Sequence, residues 1–359
     1  MSETPVQTRR QRIAVIPGDG IGHDVLTVAR QVLDTAAGRY GLDLEYDSFD
    51  WSCRRYAESG AMMPEDAIDI LRGYDAILLG AVGWPGVPDH VSLWGLLIPI
   101  RRAFRQFANI RPAKGLAGVD PSVRGANEMD LVVVRENVEG EYSEIGGRLN
   151  RGFPDEMAVQ ESVFTRVGVT RIVRHGFELA QQRRGRLTAA TKSNGIVHTM
   201  PFWDEVVREV AADYPDVDWE LMHIDALAAR VVLDPGRFDV IVGSNLFGDI
   251  LSDLTAAVSG SLGVAPSANL NPDREQPSMF EPVHGSAPDI AGQGVANPVA
   301  AVWSAAMMLD HLGHTDAADH ILRAVEASLL EPETRTRDLG GHATTEASGE
   351  AIIRLFAAV

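Results

Sequence analysis

The feature that most constrains the fold of this chain is a regular alternation of short apolar runs with longer amphipathic segments. Five short runs have the apolar composition of buried strands: residues 12–17, 74–79, 130–134, 187–191 and 238–243. Segments with helical periodicity separate them, among them residues 23–37, 65–72, 166–181, 201–212 and 297–312. Strands that alternate with helices pair in parallel, so the pattern predicts an α/β fold.

Two stretches depart from this alternation. Residues 141–165 contain strand-like segments around a turn rich in Gly, Asn and Pro, which predicts an antiparallel arm. Residues 264–298 are rich in Pro, Gly, Asn and Ser and show little regular pattern, which predicts a long ordered loop with a functional role. Composition alone marks no domain boundary.

The charge balance and the hydropathy exclude several classes of partner. The 359 residues carry 50 acidic and 32 basic side chains, a net charge of −18, which repels nucleic acid and anionic membranes. No apolar run approaches the roughly 20 residues of a membrane span, and residues 1–12 lack the apolar core of a signal peptide. We therefore expect a cytoplasmic protein. Its single cysteine, Cys53, permits neither an intrachain disulfide nor a cysteine metal cluster.

A glycine-rich turn, Gly18–Gly22, lies between the first strand and the first helix. Glycines there can bring the backbone close to a pyrophosphate at a helix N-terminus, as in Rossmann proteins. The spacing is G-x-G-x-G, however, and no acidic strand end follows at the expected offset. We interpret it as a tight strand-to-helix turn.

Three aspartates are candidate metal ligands. Asp249 and Asp253 follow the strand at 238–243 and stand four residues apart, which places both carboxylates on one helix face. This face lies at the carboxyl end of a strand, where open α/β sheets bind ligands. Asp225 is a candidate third ligand. Oxygen ligands of this kind suit Mg²⁺ or Mn²⁺; the alternative is a solvated acidic helix face.

Three arginines, a lysine and a tyrosine could act on an anionic substrate. Arg101, Arg111 and Arg135 lie near predicted element ends, and binding a dicarboxylate bidentately takes more than one arginine. Lys192 is a candidate base and Tyr142 a candidate acid. Surface salt bridges, a surface lysine and a packed tyrosine are the alternatives.

The segment from Glu281 to Asn297 combines small and polar residues. Its small residues let a ligand lie against the backbone, and its polar groups suit a nucleotide: a histidine for adenine and an aspartate for ribose hydroxyls. The residues concerned are His284, Gly285, Ser286, Ala287 and Asp289. A structural loop would not require this mixture.

Together these residues resemble the β-decarboxylating dehydrogenase family, which includes the isopropylmalate, isocitrate, homoisocitrate and D-malate/tartrate dehydrogenases. The resemblance runs from IAVIPGDGIG (13–22) to DLGGHATTEAS (338–348), and its most specific parts are NLFGDILSDL (245–254) and FEPVHGSAPDIAGQGVANP (280–298). It implies an isopropylmalate dehydrogenase-like two-domain α/β fold, distinct from the Rossmann fold. Residues 1–106 and 260–359 would form the first domain, and residues 107–259 the second.

The resemblance also assigns roles. It implies a homodimer with shared active sites, in which residues 141–165 form the intersubunit arm. Arg101, Arg111 and Arg135 would bind substrate carboxylates, and Asp249 and Asp253 would hold Mg²⁺ or Mn²⁺ with Asp225 of the other subunit. Lys192, also from the partner, would help to deprotonate the substrate hydroxyl, and Tyr142 would protonate the product. Asn194 would lie near the nicotinamide, and the dinucleotide would follow the segment from Glu281 to Asn297.

Cofactor and substrate can be argued further. Asp289-Ile290 replaces the Lys-Tyr of NADP-using relatives, and an aspartate repels a 2′-phosphate, so we predict NAD. The VSLWG motif (91–95) resembles the D-malate/tartrate group, with Trp94 and Leu97 shaping the pocket. We predict oxidation, with or without decarboxylation, of a small (2R)-2-hydroxy dicarboxylate; a K⁺ requirement is left open.

Three alternatives remain at this stage. The apolar stretch 97–100, with Pro99 at what should be a helix start, keeps 3-isopropylmalate open as a substrate. A non-catalytic homologue would have lost one of the aspartates, Lys192 or Tyr142, and all are present. A metal-dependent phosphoryl hydrolase would leave the arginines unexplained.

Overall fold

The computed structural model describes residues 9–358. The chain divides into two compact units. The first comprises the residues up to Phe104, Leu116–Asp120 and the residues from Ser261 onward, and the second comprises Arg105–Gly115 and Pro121–Gly260. Within the described part of the chain, no helix has the length and hydropathy that crossing a membrane requires.

The strands and helices follow one another in chain order. The strands are β1 Gln11–Gly18, β2 Leu44–Ser48, β3 Ala76–Ala81, β4 Ala108–Lys114, β5 Asp130–Glu136, β6 Gly146–Leu149, β7 Met157–Gln160, β8 Arg186–Thr191, β9 Asp218–His223, β10 Val240–Gly243, β11 Pro266–Leu270 and β12 Ser278–Pro282. The α-helices are α1 Gly22–Tyr40, α2 Cys53–Ser59, α3 Ala67–Leu71, α4 Asp89–Ser92, α5 Ile98–Ala103, α6 Arg166–Gln182, α7 Thr199–Ala211, α8 Ile224–Leu233, α9 Asn245–Ser259, α10 Val299–His311, α11 Thr315–Leu330 and α12 Thr345–Ala358. A π-helix, Leu93–Leu97, connects α4 to α5.

The sheet of the first unit has the strand order β2-β1-β3-β12-β11. All neighbours are parallel except β11, which runs antiparallel to β12. Alternate residues of β1 and β3, such as Ile16 and Leu79, join a hydrophobic cluster with Trp51, Met62 and Phe104. Helices α1 and α10 pack against the sheet as well. The central strands are therefore buried, as the apolar runs predict.

The sheet of the second unit has the order β4-β5-β10-β8-β9, with β4 antiparallel to β5 and the other neighbours parallel. Helices α6 and α9 both pack on β5 and β10. Strands β6 and β7 form a separate antiparallel hairpin, and all of their residues are exposed. The α/β fold class is confirmed, and residues 141–165 contain the expected antiparallel hairpin.

One expectation needs correction, and one is met in an unusual way. Residues 264–298 are not one long loop, because they contain β11 and β12. These strands include Pro266, Asn269 and Pro282. Proline and asparagine are typical of loops, so the sequence alone does not indicate strands here. Pro99 lies at a helix start as expected, because it is the second residue of α5, and it follows a π-turn in which the Ile98 N–H donates to the Leu93 carbonyl. A wider turn relieves the clash of a proline ring with the preceding turn.

Candidate active site

The glycine-rich turn after β1 packs against the segment that begins at Glu281. The Ile21 N–H donates to the Ser286 carbonyl at 2.9 Å, and a Cβ on Gly20 would lie 2.0 Å from that oxygen. Gly20 also has a φ of 55°, a conformation that favours glycine. The turn therefore uses its glycines for close backbone contact within the protein.

Asp19, in the same turn, joins three loops at the carboxyl ends of the strands. Its buried carboxylate accepts hydrogen bonds from the Cys53 N–H at 3.0 Å and from the Gly83 N–H at 3.1 Å. Asp19 and Cys53 line a cavity of about 530 Å³ together with Trp84. Burial raises the pKa of the Cys53 thiol to about 12, so it is unsuited to act as a nucleophile.

In the second unit, donors from three elements converge on Asp249 in α9. The carboxylate accepts hydrogen bonds from Arg135 Nη1, from Tyr142 Oη at 2.8 Å and from Arg111 Nη1 at 3.3 Å. Arg135 is the penultimate residue of the buried strand β5, and Arg111 lies on its antiparallel neighbour β4. The two guanidiniums are almost fully buried, whereas the Asp249 side chain is 32% exposed. This arrangement places two positive charges beside an accessible carboxylate.

Close packing of α9 on β5 makes this convergence possible. A Cβ on Gly248 would lie 2.5 Å from the Cβ of Arg135, so only glycine lets the helix approach that strand. Arg135 also donates through Nε and Nη2 to Asn245 Oδ1, at 3.1 and 2.8 Å. The Ser244 hydroxyl caps the helix by accepting from the Phe247 N–H.

Asp253 lies one helical turn beyond Asp249, on the same face of α9. Its Oδ1 is 3.6 Å from Arg111 Nη1. Burial raises the pKa of Asp253, and Arg111 opposes the shift. Burial, followed by the charge of Asp249, raises the pKa of Tyr142 to about 12. The phenol is therefore protonated at neutral pH and has a proton to give.

Lys192 and Asp225 form a second, separate pair in this unit. Lys192 Nζ lies 2.7 Å from Asp225 Oδ1, and this hydrogen bond lowers the pKa of the aspartate. Within residues 9–358, no group of three or more His, Cys, Asp or Glu side chains could hold a metal ion. The structure thus brings Asp249 and Asp253 together and leaves Asp225 apart from them. Asn194 is exposed in the loop after Lys192.

The donor set at Asp249 and Asp253 suits a hard divalent cation. Mg²⁺ is commonly held by one or two carboxylates, with water and substrate oxygens completing its coordination. Two carboxylates on one helix face fit that requirement. Zinc would call for nitrogen or sulfur ligands that this cluster does not contain.

In the first unit, Arg101 and Glu281 form a buried ion pair. Arg101 Nη2 lies 2.7 Å from Glu281 Oε1, and their side chains are 6% and 9% exposed. Asn269 Nδ2 donates to the same oxygen at 2.7 Å. Sequence reasoning did not identify Asn269. Its only signal is its place in APSANLNP (265–272), and an asparagine of a buried strand cannot be told from a loop asparagine by residue type.

The two residues expected to shape the substrate pocket lie in the π-helix of the first unit. The Trp94 ring packs against the Arg102 guanidinium, 5.0 Å from ring centroid to Cζ. Leu97 is half-buried and packs against the hydrophobic cluster. Leu97 thus contributes to the core, whatever contact it makes with a substrate.

A second cavity of the first unit, about 360 Å³, is lined in part by two of the predicted nucleotide residues. His284, Ile290 and Asn297 border it together with Ile21 and Asp338. His284 Nε2 is buried without a hydrogen-bond partner, and burial lowers the pKa of the imidazole, which is therefore neutral at pH 7. A neutral, unpartnered ring nitrogen in such a cavity fits a heteroaromatic base such as adenine.

The other predicted residues of this segment do not line that cavity. Ser286 is buried, Ala287 has a φ of 40°, and Gly285 and Asp289 are exposed. Asn297 donates to Asp338 Oδ2 at 2.9 Å and accepts from the Val299 N–H, so the orientation of its amide is set.

Comparison with known proteins gives matches that cover nearly the whole chain. The family model described as isocitrate/isopropylmalate dehydrogenase matches residues 12–352. A probable tartrate dehydrogenase/decarboxylase from Bacillus subtilis (strain 168) is 54% identical over 346 residues, 96% of this chain and 97% of that protein. The D-malate dehydrogenase [decarboxylating] of Escherichia coli (strain K12) is 52% identical over 358 residues, 97% of this chain and 99% of that protein.

A solved structure agrees at the level of the fold. The crystal structure of isocitrate dehydrogenase from Methylococcus capsulatus matches with a TM-score of 0.87 at 34% identity, covering 96% of this chain and 99% of that one. The likeness therefore extends over nearly the full length and is not confined to one motif.

Proposed function

Because this chain belongs to the isocitrate/isopropylmalate dehydrogenase family, we propose that it oxidises a small (2R)-2-hydroxy dicarboxylate, such as D-malate or tartrate, with NAD and Mg²⁺ or Mn²⁺. With a substrate that carries a β-carboxylate, the reaction also releases CO₂. The observation that carries the proposal is the convergence of Arg111, Arg135 and Tyr142 on Asp249. The names of the relatives, tartrate dehydrogenase/decarboxylase and D-malate dehydrogenase, support this substrate class.

The charged residues would bind the substrate and a cation side by side. Arg111 and Arg135 would hold substrate carboxylates, and the resemblance gives Arg101 the same role. Asp249 and Asp253 would hold the divalent cation. When bound, the cation would supply Lewis acidity at the substrate oxygens, and NAD would accept the hydride from C2.

Two residues would move protons. Lys192, assisted by Asp225, would accept the proton of the C2 hydroxyl as hydride leaves that carbon. Loss of CO₂ from the resulting β-keto acid leaves an enolate, and Tyr142 would protonate its carbon. The protonated phenol beside Asp249 supports this role. A network of water molecules would then return a proton to the tyrosinate.

A second copy of the chain would complete the site. Asp225 and Lys192 lie apart from Asp249 in one chain, which suits their action in the site of a partner. The exposed apolar side chains of the β6–β7 hairpin, among them Leu149 and Phe153, are available for such an interface.

The cofactor assignment has its own support. The cavity beside His284 suits adenine, and the exposed carboxylate of Asp289 would accept hydrogen bonds from ribose hydroxyls. That carboxylate would repel the 2′-phosphate of NADP. Asn194 would lie near the nicotinamide.

The decisive experiment measures NADH formation with D-malate, both tartrates, 3-isopropylmalate and isocitrate, in the presence of Mn²⁺ and K⁺. We expect turnover with D-malate or tartrate, loss of turnover with a chelator, and a lower kcat/KM with NADP. Omitting K⁺ tests the need for a monovalent cation. Preference for 3-isopropylmalate or isocitrate would replace the substrate assignment, and no turnover with any of them would favour a non-catalytic homologue.

A further inference from the structure

We propose that Asn269 is a positioning residue: it holds Glu281 and, through Glu281, sets the Arg101 guanidinium in the orientation that binds a substrate carboxylate. The inference rests on the proposed function, which assigns Arg101 to the substrate. All three residues belong to the first unit, on β11, β12 and α5.

The geometry is that of one carboxylate oxygen shared by two donors. Glu281 Oε1 accepts from Arg101 Nη2 at 2.7 Å and from Asn269 Nδ2 at 2.7 Å. The three residues are 7%, 5% and 0% exposed, respectively. Asn269 lies opposite Met279 and Glu281 opposite Ser267 in the β11–β12 pair, so Asn269 and Glu281 are diagonal neighbours on one face. The register of two buried strands thus fixes the asparagine against the carboxylate.

Arg101 has further N–H donors that do not bond to Glu281, and these favour an anion as their partner. A guanidinium carries five N–H donors in one plane. Arg101 Nε is buried and has no partner within the protein. Leaving a buried N–H without an acceptor costs free energy, and a bound carboxylate would supply that acceptor. Because the group is planar, holding Nη2 on Glu281 also sets the direction of the remaining N–H bonds.

Asn269 also supplies a polar contact that the buried carboxylate needs. A buried carboxylate oxygen that lacks a hydrogen-bond donor costs free energy. The amide N–H of Asn269 is one of the two donors to Glu281 Oε1, beside Arg101 Nη2. Asn269 itself need not touch the substrate.

The test compares two substitutions at this position. Asn269→Ala removes the donor, and we expect the KM for the dicarboxylate to rise about tenfold or more while kcat changes less. The Kd of the dicarboxylate, measured calorimetrically with Mn²⁺ and without NAD, should rise by the same factor. Asn269→Asp keeps the shape but sets a carboxylate against Glu281, so it should weaken binding at least as much. If Asn269 only filled space, the Asp variant would be the milder one.

Asn271→Ala is the matched control. Asn271 follows β11, is 2% exposed, and donates to the Phe104 carbonyl at 2.9 Å instead of to Glu281. We expect a fall in Tm like that of Asn269→Ala, with a wild-type Kd for the dicarboxylate. An equal loss of binding in this control, or a wild-type Kd in Asn269→Ala, would overturn the inference alone. A wild-type chain that binds no dicarboxylate would overturn the proposed function and this inference together.

Discussion

At the scale of single residues, the candidate site is organised by carboxylates that each receive several donors. Asp249 receives Arg111, Arg135 and Tyr142, and Glu281 receives Arg101 and Asn269. Strands supply Arg111, Arg135 and Asn269, helix α5 supplies Arg101, and the loop after β5 supplies Tyr142, so their relative positions depend on backbone structure.

Sequence reasoning identified Tyr142 and the charged members of these clusters, and missed the asparagines. Asp249 and Arg135 were predicted because their spacing and their place after buried strands indicate a ligand site. Asn269 and Asn245 were not, because a buried amide produces no periodic pattern and no charge signal. Their importance appears only when the strand register and the helix packing are known. The family resemblance drawn from the motifs is confirmed.

Arg135→Lys should lower kcat/KM for the dicarboxylate by about 100-fold, because an ammonium cannot reach Asn245 and Asp249 together as the guanidinium does. Steady-state kinetics with D-malate or tartrate would measure the loss. Arg166→Lys is the control: this arginine forms exposed ion pairs with Glu205 and Glu209, and its replacement should leave kcat/KM unchanged. Equal effects of the two substitutions would argue against a substrate role for Arg135.

At the scale of secondary-structure elements, the buried parallel strands were the predictable part of the fold. Strands β1, β3, β5, β8 and β10 are continuous apolar runs and correspond to the five predicted ones. Strand β9 is only partly buried, and β11 includes a proline and two polar residues, so neither stands out in the sequence. Pairing with neighbouring strands stabilises such strands, and the composition of the strand itself does not reveal that pairing.

The end of β5 contains a buried carboxylate that links it to α6. Glu136 Oε1 accepts hydrogen bonds from the N–H groups of Asn137, Val138 and Glu139, and Arg171 of α6 lies 3.5 Å away. Burial raises the pKa of Glu136 to about 7, and the charge of Arg171 opposes the shift.

This pKa predicts a pH-dependent stability. The carboxyl ionises near pH 4.3 in the unfolded chain, so between about pH 4.3 and 7 the folded state binds the extra proton. The free energy of unfolding should therefore fall as pH rises through this window, by about 4 kcal/mol from this group. Glu136→Gln cannot ionise and should lack that component. Urea unfolding of both proteins at pH 5 and pH 8 would measure it, and parallel pH profiles would contradict the prediction.

At the scale of the whole molecule, the exposed β6–β7 hairpin is the surface that we expect to bind a partner. Ile145, Leu149 and Phe153, in or directly beside this hairpin, are each more than half exposed, and a cluster of exposed apolar side chains favours contact with a partner. The dimer with shared active sites is a proposal, and substitutions in the hairpin test it.

The double substitution Leu149→Asp and Met157→Asp should convert the dimer to a monomer. These residues face each other across the hairpin, and four buried charges in a symmetric interface would disfavour association. Sedimentation velocity would measure the change, and turnover should disappear with the dimer. Leu330→Asp, at an exposed position at the end of α11, should leave both unchanged. A double variant that remains dimeric would exclude the hairpin as the interface.

The strand order of the first unit has a consequence for the order of events during synthesis. Strand β3 lies between β1 and β12, yet β12 is made almost 200 residues after β3. While the ribosome produces the second unit, one edge of the apolar strand β3 lacks its partner. The second unit, whose strands are continuous in the chain from β4 to β10, can fold before the first is complete. The growing chain therefore exposes an aggregation-prone strand edge until about residue 282, and this interval is where a chaperone would have most effect.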